Sequence, residues 1–143
     1  MKTQHQTTTS LISRRCGAAS VELAIILPVL LTVILGCIDF GRLSQTHIAV
    51  TNAARAGSGF ASMHPFTSTT QAAWENQLRQ AIADEMSDFD ANQIQVSATK
   101  THDPNALWRV RVVVTYPFET TVNWPFIPNQ LDLQRAVEIR GIR

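Results

Sequence analysis

Glu22 is the residue of this sequence whose chemistry most needs an explanation. It is the only acidic residue in the apolar run GAASVELAIILPVLLTVILGCI, which spans residues 17–38. A charge at the centre of a bilayer costs roughly 2.5 kcal/mol or more, so an ordinary membrane anchor has no use for it. Arg14 and Arg15 lie just before the run, followed by Cys16 and Gly17. This order of basic, small and acidic residues indicates a segment that a peptidase cuts.

Cleavage after Gly17 would give that acid a partner. It would create an α-amine at Ala18, four residues before Glu22. Within one helix the amine and the carboxylate would be about one turn apart. Between staggered subunits, the acid of one chain could instead neutralise the amine of the next, and such a desolvated pair is strong only while both charges are present. The alternative is that Glu22 lies near the lipid headgroups, where its charge costs little and has no role.

The rest of the sequence offers no catalytic constellation. It contains no G-x-S-x-G, C-x-x-C or H-E-x-x-H motif and no phosphate-binding glycine loop. The four histidines are not spaced as a ligand pair on one helical face, and the acidic cluster at residues 84–90 lacks the glycine and terminal Glu of a calcium loop. The net charge of +1 indicates no nucleic-acid partner. We therefore expect no enzyme activity, no metal and no cofactor.

The 143 residues divide into four predicted segments. Residues 1–17 are a leader, whose first thirteen residues are Thr-, Gln- and Ser-rich and predicted to be disordered. Residues 18–38 can nearly span a bilayer, which needs roughly 20 residues. Residues 39–63 continue the same helix in polar form, and residues 64–143 form a small α+β domain.

Charge placement predicts the orientation of the membrane segment. Lys2, Arg14 and Arg15 precede the apolar run, and no Asp or Glu lies among them. Positively charged flanks stay on the cytoplasmic side. The N-terminus is therefore predicted to lie inside, and residues from about Asp39 onward outside.

Two features of the long helix bear on its packing. Pro28 is either a tolerated membrane-helix proline with a kink, or a site of local unwinding that a filament uses. Ala49, Ala53 and Gly57 form a small-xxx-small ridge that lets another backbone approach closely. This ridge can pack on the chain's own C-terminal domain or be shared with neighbouring subunits. His64-Pro65 is predicted to end the helix.

The C-terminal domain is predicted to combine one helix with a three-stranded antiparallel sheet. Thr69 or Thr70 can cap a helix that ends near Phe89. Alternating apolar residues predict three consecutive strands, at residues 94–98, 109–116 and 131–142.

The connections between these strands carry their own signals. The sequence HDPN at residues 102–105 predicts a type I turn between the first two strands. Prolines at 117, 125 and 128 are expected to break the stretch before the third strand. Between them, Trp124-Pro125-Phe126 either caps a small core or contacts a partner. The predicted fold class is α+β, with a long N-terminal membrane helix, a second helix and the sheet.

A set of short marks between residues 14 and 62 resembles one known family. The marks are the basic residues before Gly17, Val21-Glu22-Leu23-Ala24, Leu27-Pro28, Gly36, Asp39-Phe40-Gly41-Arg42 and Asn52-Ala53-Ala54-Arg55-Ala56-Gly57. Together they resemble the TadE-like pseudopilins, minor pilins of the bacterial tight-adherence pilus system. Leu23 departs from the pattern, because many members carry an aromatic residue there.

The resemblance implies a processing route and a set of partners. A membrane aspartic prepilin peptidase would cut after Gly17, with Arg14 and Arg15 before the cut, making Ala18 the mature N-terminus and Glu22 the fifth mature residue. Pilin-like subunits use that acid for peptidase recognition or for subunit insertion. Other pilin and pseudopilin subunits, a secretion ATPase and an inner-membrane assembly platform would be partners. The implied role is adhesion or biofilm formation, from the inner membrane and periplasm or within the extracellular pilus.

Two other interpretations remain open from the sequence. The first is an uncleaved bitopic membrane protein whose outer domain binds a partner. The second is a secreted or anchored enzyme with a small pocket, although its catalytic motifs are missing.

Overall fold

The computed structural model describes residues 9–67, 69–102 and 108–140. Within these ranges, side chains are described from residue 17 onward, except that of His102. The elements are α1 (Thr9–Met63), α2 (Gln71–Glu85), a short 3₁₀ helix (Ala91–Gln93), β1 (Gln95–His102), β2 (Trp108–Glu119) and β3 (Gln130–Arg140). This order confirms the predicted α+β class. The chain divides into two compact units, Met1–Ile38 and Asp39–Arg143, and α1 contributes to both.

In the first unit, α1 presents an apolar surface to its surroundings. The side chains of residues 18–35 are all exposed. Within the described residues, this is the one helix long and apolar enough to cross a membrane. It begins at Thr9, earlier than predicted, because residues 9–16 contain no glycine or proline that would stop a helix. Residues 1–8 of the predicted disordered leader lie outside the described part.

In the second unit, α1, α2 and one face of the sheet enclose a small apolar core. The core residues are Val50, Ala53, Ala54 and Ala61 of α1, Trp74, Leu78 and Ile82 of α2, Met86 and Ile94 of the following segment, and Val110, Val112 and Val114 of β2. They are four residues apart along α2 and two apart along β2, and on α1 residues 50, 53, 54 and 61 fall on one side of the helix, so each element buries a single face. The core of this unit therefore depends on the polar half of α1.

The sheet is an antiparallel meander in the order β1-β2-β3, as predicted. Val112 pairs with Ala98 on one side and with Val137 on the other. The predicted break at Pro117 is wrong, because β2 continues to Glu119. The last pair between β1 and β2 is Gln95 with Thr115, so beyond Thr115 strand β2 is paired with β3 alone. On its unpaired side a backbone N–H is not needed, and Pro117 is therefore tolerated there. The predicted turn at residues 102–105 lies mostly outside the described residues.

The start of α2 agrees with the prediction in position, whereas its end does not. Thr70 occupies the N-cap position, but its side chain makes no capping hydrogen bond. Its hydroxyl instead accepts the backbone N–H of Thr67 at 2.9 Å, which closes the preceding turn. The helix ends at Glu85, before the predicted Phe89. Phe89 packs edge-on against Tyr116 of β2, with ring centroids 5.3 Å apart, so it belongs to the connection that leads to the sheet.

Candidate functional site

The residues predicted to be processed lie on the exposed part of α1. Gly17, Ala18 and Glu22 are all exposed. A Cβ built at Gly17 would meet no atom within 4 Å. Ala18 and Glu22 are separated by one helical turn, a rise of about 6 Å. Arg14 and Arg15 fall within the helix, but their side chains are outside the described part.

The helical setting of Gly17 has a consequence for any cleavage there. A peptide bond within a helix has its carbonyl oxygen in the hydrogen-bond ladder, so a peptidase must unwind it locally. Glycine is less favourable than alanine inside a helix by about 1 kcal/mol, which lowers the cost of that opening. Because nothing packs at the Gly17 Cβ position, unwinding breaks no side-chain contact there.

Pro28 does not end the helix, which remains continuous from Thr9 to Met63. The hydroxyl of Thr32 donates a 2.8 Å hydrogen bond to the Pro28 carbonyl, one turn earlier. Such a bond satisfies the hydroxyl of Thr32 in a segment whose neighbours are apolar. The Thr32 hydroxyl and the Pro28 carbonyl are therefore hydrogen-bonded to each other within the helix.

The small-residue ridge lies on the second unit's own core. Ala49 is half-buried, and Ala53 and Gly57 are buried. A Cβ at Gly57 would lie 2.8 Å from Ile82 Cδ1 and 3.3 Å from Val112 Cγ1. The absence of a side chain at this position therefore lets α2 and β2 approach α1.

A second cluster of polar contacts centres on Asp39, the residue directly after the apolar run. Its carboxylate accepts the backbone N–H of Thr121 at 2.9 Å and that of Val122 at 3.4 Å. It also accepts the indole N–H of Trp124 at 2.8 Å. Asp39 is only 6% exposed, so these donors replace the water that it gives up. One side chain thereby fixes the connection between β2 and β3 to α1.

Arg42 supports the same junction from the next turn of α1. Its guanidinium lies 3.5 Å from the Asp39 carboxylate and donates a short hydrogen bond to the hydroxyl of Thr121. The guanidinium carbon also lies over the ring of Phe118, 5.6 Å from the centroid. Half of the Arg42 side chain is exposed, so its ion pair contributes little energy by itself and mainly positions the groups.

The hydrogen bonds to Asp39 favour its charged form. The indole N–H of Trp124 has the largest effect, followed by the backbone N–H of Thr121, and together they outweigh the burial that acts in the opposite direction. The pKa of Asp39 falls from 3.8 to about 2 as a result. The carboxylate is therefore ionised throughout the physiological range.

Sequence reasoning missed the role of this cluster. From the sequence, Asp39 is the first residue beyond the apolar run, Asp39 and Arg42 are marks of a resemblance, and Trp124 is part of an aromatic segment. The available signal was an acid placed at the end of an apolar run with a base three residues later. The sequence could not identify the donors, because Thr121 is 82 residues away in the chain.

Comparison with known proteins identifies one family. The sequence model of TadE-like proteins matches residues 17–58. This match confirms the resemblance and covers Gly17, Glu22, Asp39 and Gly57. Searches of curated proteins and of solved structures found no match. Over residues 17–58 the chain is thus similar to TadE-like proteins.

Proposed function

We propose that this protein is a non-enzymatic pseudopilin, or minor pilin, that takes part in assembly of a tight-adherence pilus. The observation that carries the proposal is the exposed apolar helix with a single acid, Glu22, five residues after Gly17, within the segment that matches TadE-like proteins. A helix of this kind needs lipid or other apolar helices around it. Both are available to a pilin, first as a membrane-embedded monomer and then within a filament.

The proposed processing step is removal of residues 1–17 by a prepilin peptidase. The products are the leader and a chain that begins with the α-amine of Ala18. That amine is a cation next to Glu22 on the same helix, or next to the Glu22 of another subunit. An isolated charge in a membrane is costly, and the pair reduces this cost for both groups. Neutralisation between subunits therefore gives cleavage a direct effect on assembly.

The proposed location follows from the charge flanking the helix. The N-terminus lies in the cytoplasm, and residues from Asp39 onward face the periplasm before incorporation into a pilus. The partners are then the peptidase, other pilin and pseudopilin helices, and the inner-membrane assembly platform. The second unit buries its own core and would remain folded in both settings.

Substitution of Gly17 tests the processing step. We expect Gly17→Leu, expressed in the native host, to retain the leader, because the bulky side chain obstructs the peptidase. The structure has open space at this position, so the substitution should not disturb the fold. Gly41→Leu is the matched control, since Gly41 is also an exposed α1 glycine with no atom within 4 Å of a Cβ. Mass spectrometry of the N-terminus gives the result.

The outcomes of this experiment separate the proposal from its main alternative. A mature wild-type chain beginning at Ala18, a Gly17→Leu chain beginning at Met1 and a normally cut Gly41→Leu chain are expected. Removal of the leader from Gly17→Leu would contradict cleavage at this position. A wild-type chain that still begins at Met1 would instead support the uncleaved bitopic membrane protein.

A further inference from the structure

The connection between β2 and β3 exposes an unusual apolar group. We call residues 120–129, TTVNWPFIPN, the aromatic loop; it contains no charged residue. Phe126 at its tip is fully exposed, at 105% of the reference value, and the neighbouring Ile127 is 51% exposed. Adjacent exposed apolar side chains form a patch, and such patches mark surfaces that contact a partner or a membrane.

The backbone holds Phe126 in this position at a conformational cost. Its φ of 76° is the one positive value at a non-glycine residue in the described part of the chain. The Ile127 N–H donates to the Trp124 carbonyl at 3.4 Å, and Pro125 precedes Phe126. This arrangement matches a type II turn, whose third position normally carries glycine or asparagine. An aromatic residue in a strained and exposed position points to a functional contact.

The aromatic loop is hydrogen-bonded to Asp39, the residue that directly follows the apolar segment in the chain. Asp39 follows Ile38 directly in the chain, and it accepts hydrogen bonds from the backbone of Thr121 and the indole of Trp124. The base of the loop is closed by a 3.0 Å hydrogen bond from the Thr120 N–H to the Asn129 carbonyl. The loop therefore lies within hydrogen-bond reach of the residue at which the membrane-compatible stretch ends.

We propose that the aromatic loop is a lipid contact, with Phe126 and Ile127 entering the headgroup and upper acyl region of the leaflet next to Asp39. Tryptophan and tyrosine concentrate at the boundary between membrane and water, and Trp124 provides such a group. Phe126 and Ile127 add exposed apolar side chains next to it. Phe40, the next residue on α1, is itself 69% exposed and adds an aromatic ring near the same boundary. The lack of charge in the loop lowers the cost of entering this region.

Lipid is favoured over a protein partner because the loop is hydrogen-bonded to Asp39, which directly follows the apolar segment in the chain. Where that segment crosses a membrane, Asp39 comes at the membrane surface, and lipid is then the nearest apolar medium for the loop. Such a contact would fix the height of the second unit relative to the bilayer before assembly. The proposed lipid contact depends on the apolar segment crossing a membrane, but it does not depend on cleavage after Gly17.

Fluorescence of the full chain reconstituted in phosphatidylcholine vesicles tests this contact. A tryptophan is introduced in Phe126→Trp, and its emission is compared in ordinary lipids and in lipids brominated near the headgroup. Bromine quenches tryptophan only at close range, so we expect the added emission to fall about twofold or more. Met63→Trp is the matched control, because Met63 is 72% exposed and lies about 36 Å along α1 from Asp39 by helical rise.

Each outcome decides for or against the loop contact. Leu30→Trp, about 14 Å along the helix from Asp39 by helical rise, reports through lipids brominated deep in the acyl chains whether the helix is inserted. Quenching at positions 30 and 126 but not at 63 supports the proposal. Quenching at position 30 alone overturns it and leaves membrane anchoring intact. Equal quenching at 63 and 126 overturns a specific role for the loop. Emission changes at 126 that disappear when the protein is diluted in lipid assign the loop to a second subunit, which also overturns the proposal.

Discussion

At Asp39, a single carboxylate joins two distant parts of the sequence. It gathers two backbone N–H groups and one indole N–H from the aromatic loop, and it forms an ion pair with Arg42. Charge-assisted hydrogen bonds of this kind are shorter and stronger than neutral ones. Removing the charge should therefore weaken the attachment of the loop to α1 while leaving the apolar core unchanged.

Asp39→Asn tests this role through the dependence of stability on pH. The folded-state pKa of Asp39, about 2, lies below its ordinary value of 3.8. Its charge therefore stabilises the fold fully above about pH 4, and this contribution is lost as the pH falls towards 2. We expect Asp39→Asn to lower Tm by a few degrees at neutral pH, and the gap from wild type to shrink as the pH falls from 4 towards 2.

Thermal unfolding of the full chain in detergent micelles, followed by circular dichroism, measures that gap. Asp132→Asn is the control, because Asp132 is exposed on β3 and lacks the donors that surround Asp39. It should leave Tm nearly unchanged at neutral pH. A gap between wild type and Asp39→Asn that stays constant down to pH 2 would show that the charge of Asp39 does not stabilise the fold.

At the scale of the elements, the close packing of α1 against α2 and β2 depends on Gly57. Gly57 lies where a Cβ would come within 2.9 Å of two Ile82 side-chain atoms. Ile82 is fully buried, so it can move only by displacing other core atoms. Overpacking of this kind typically costs about 1–3 kcal/mol.

Gly57→Ala and Gly59→Ala form a matched pair that isolates this steric effect. Both replacements favour the helix by about 1 kcal/mol, but a Cβ at Gly59 meets nothing within 4 Å. We expect Gly57→Ala to be less stable than Gly59→Ala by about 1–3 kcal/mol, since the helix preference cancels in the comparison. Chemical denaturation in micelles provides both values. Equal stabilities would mean that the core adjusts around Gly57 without cost.

The elements that the sequence predicted correctly are those with a local pattern. Apolar spacing of three and four found α1 and α2, and alternation found β1, β2 and β3, because burial of one face imposes these periods. The predicted break at Pro117 was wrong because β2 tolerates a proline beyond the last residue that pairs with β1. The position of that residue depends on strand pairing, which no local pattern in the sequence reveals. The donors of Asp39 were equally inaccessible, because contacts between residues 82 apart leave no periodic trace.

At the scale of the whole molecule, the two parts of the chain need different surroundings. Residues 18–35 of α1 are exposed and mostly apolar, whereas the second unit encloses its own core. The first part needs a cover of lipid or of other helices, and the second does not. Glu22 is the only acidic residue within the part that needs covering. Its charge is therefore expected to matter most when the medium around α1 changes from lipid to other subunits.

Glu22→Ala tests this expectation in assembling cells. The variant should still insert, because losing a charge makes the helix more apolar, but it should assemble poorly. Removing one partner of a buried ion pair costs about 3–5 kcal/mol, so incorporation into pili should fall more than about tenfold. Immunoblots of membrane and sheared-pilus fractions measure insertion and incorporation separately.

Glu22→Asp is the control for the charge itself, because it keeps a carboxylate at the same position of α1. We expect it to recover most of the incorporation, while a general loss of helix packing would affect both variants equally. Mass spectrometry of the N-terminus checks that both variants lose residues 1–17. With the Ala18 amine present in both, a difference in incorporation reports on its counter-ion alone. Wild-type levels of Glu22→Ala in sheared pili would exclude the pairing of amine and acid from the assembly mechanism, whatever the state of the leader.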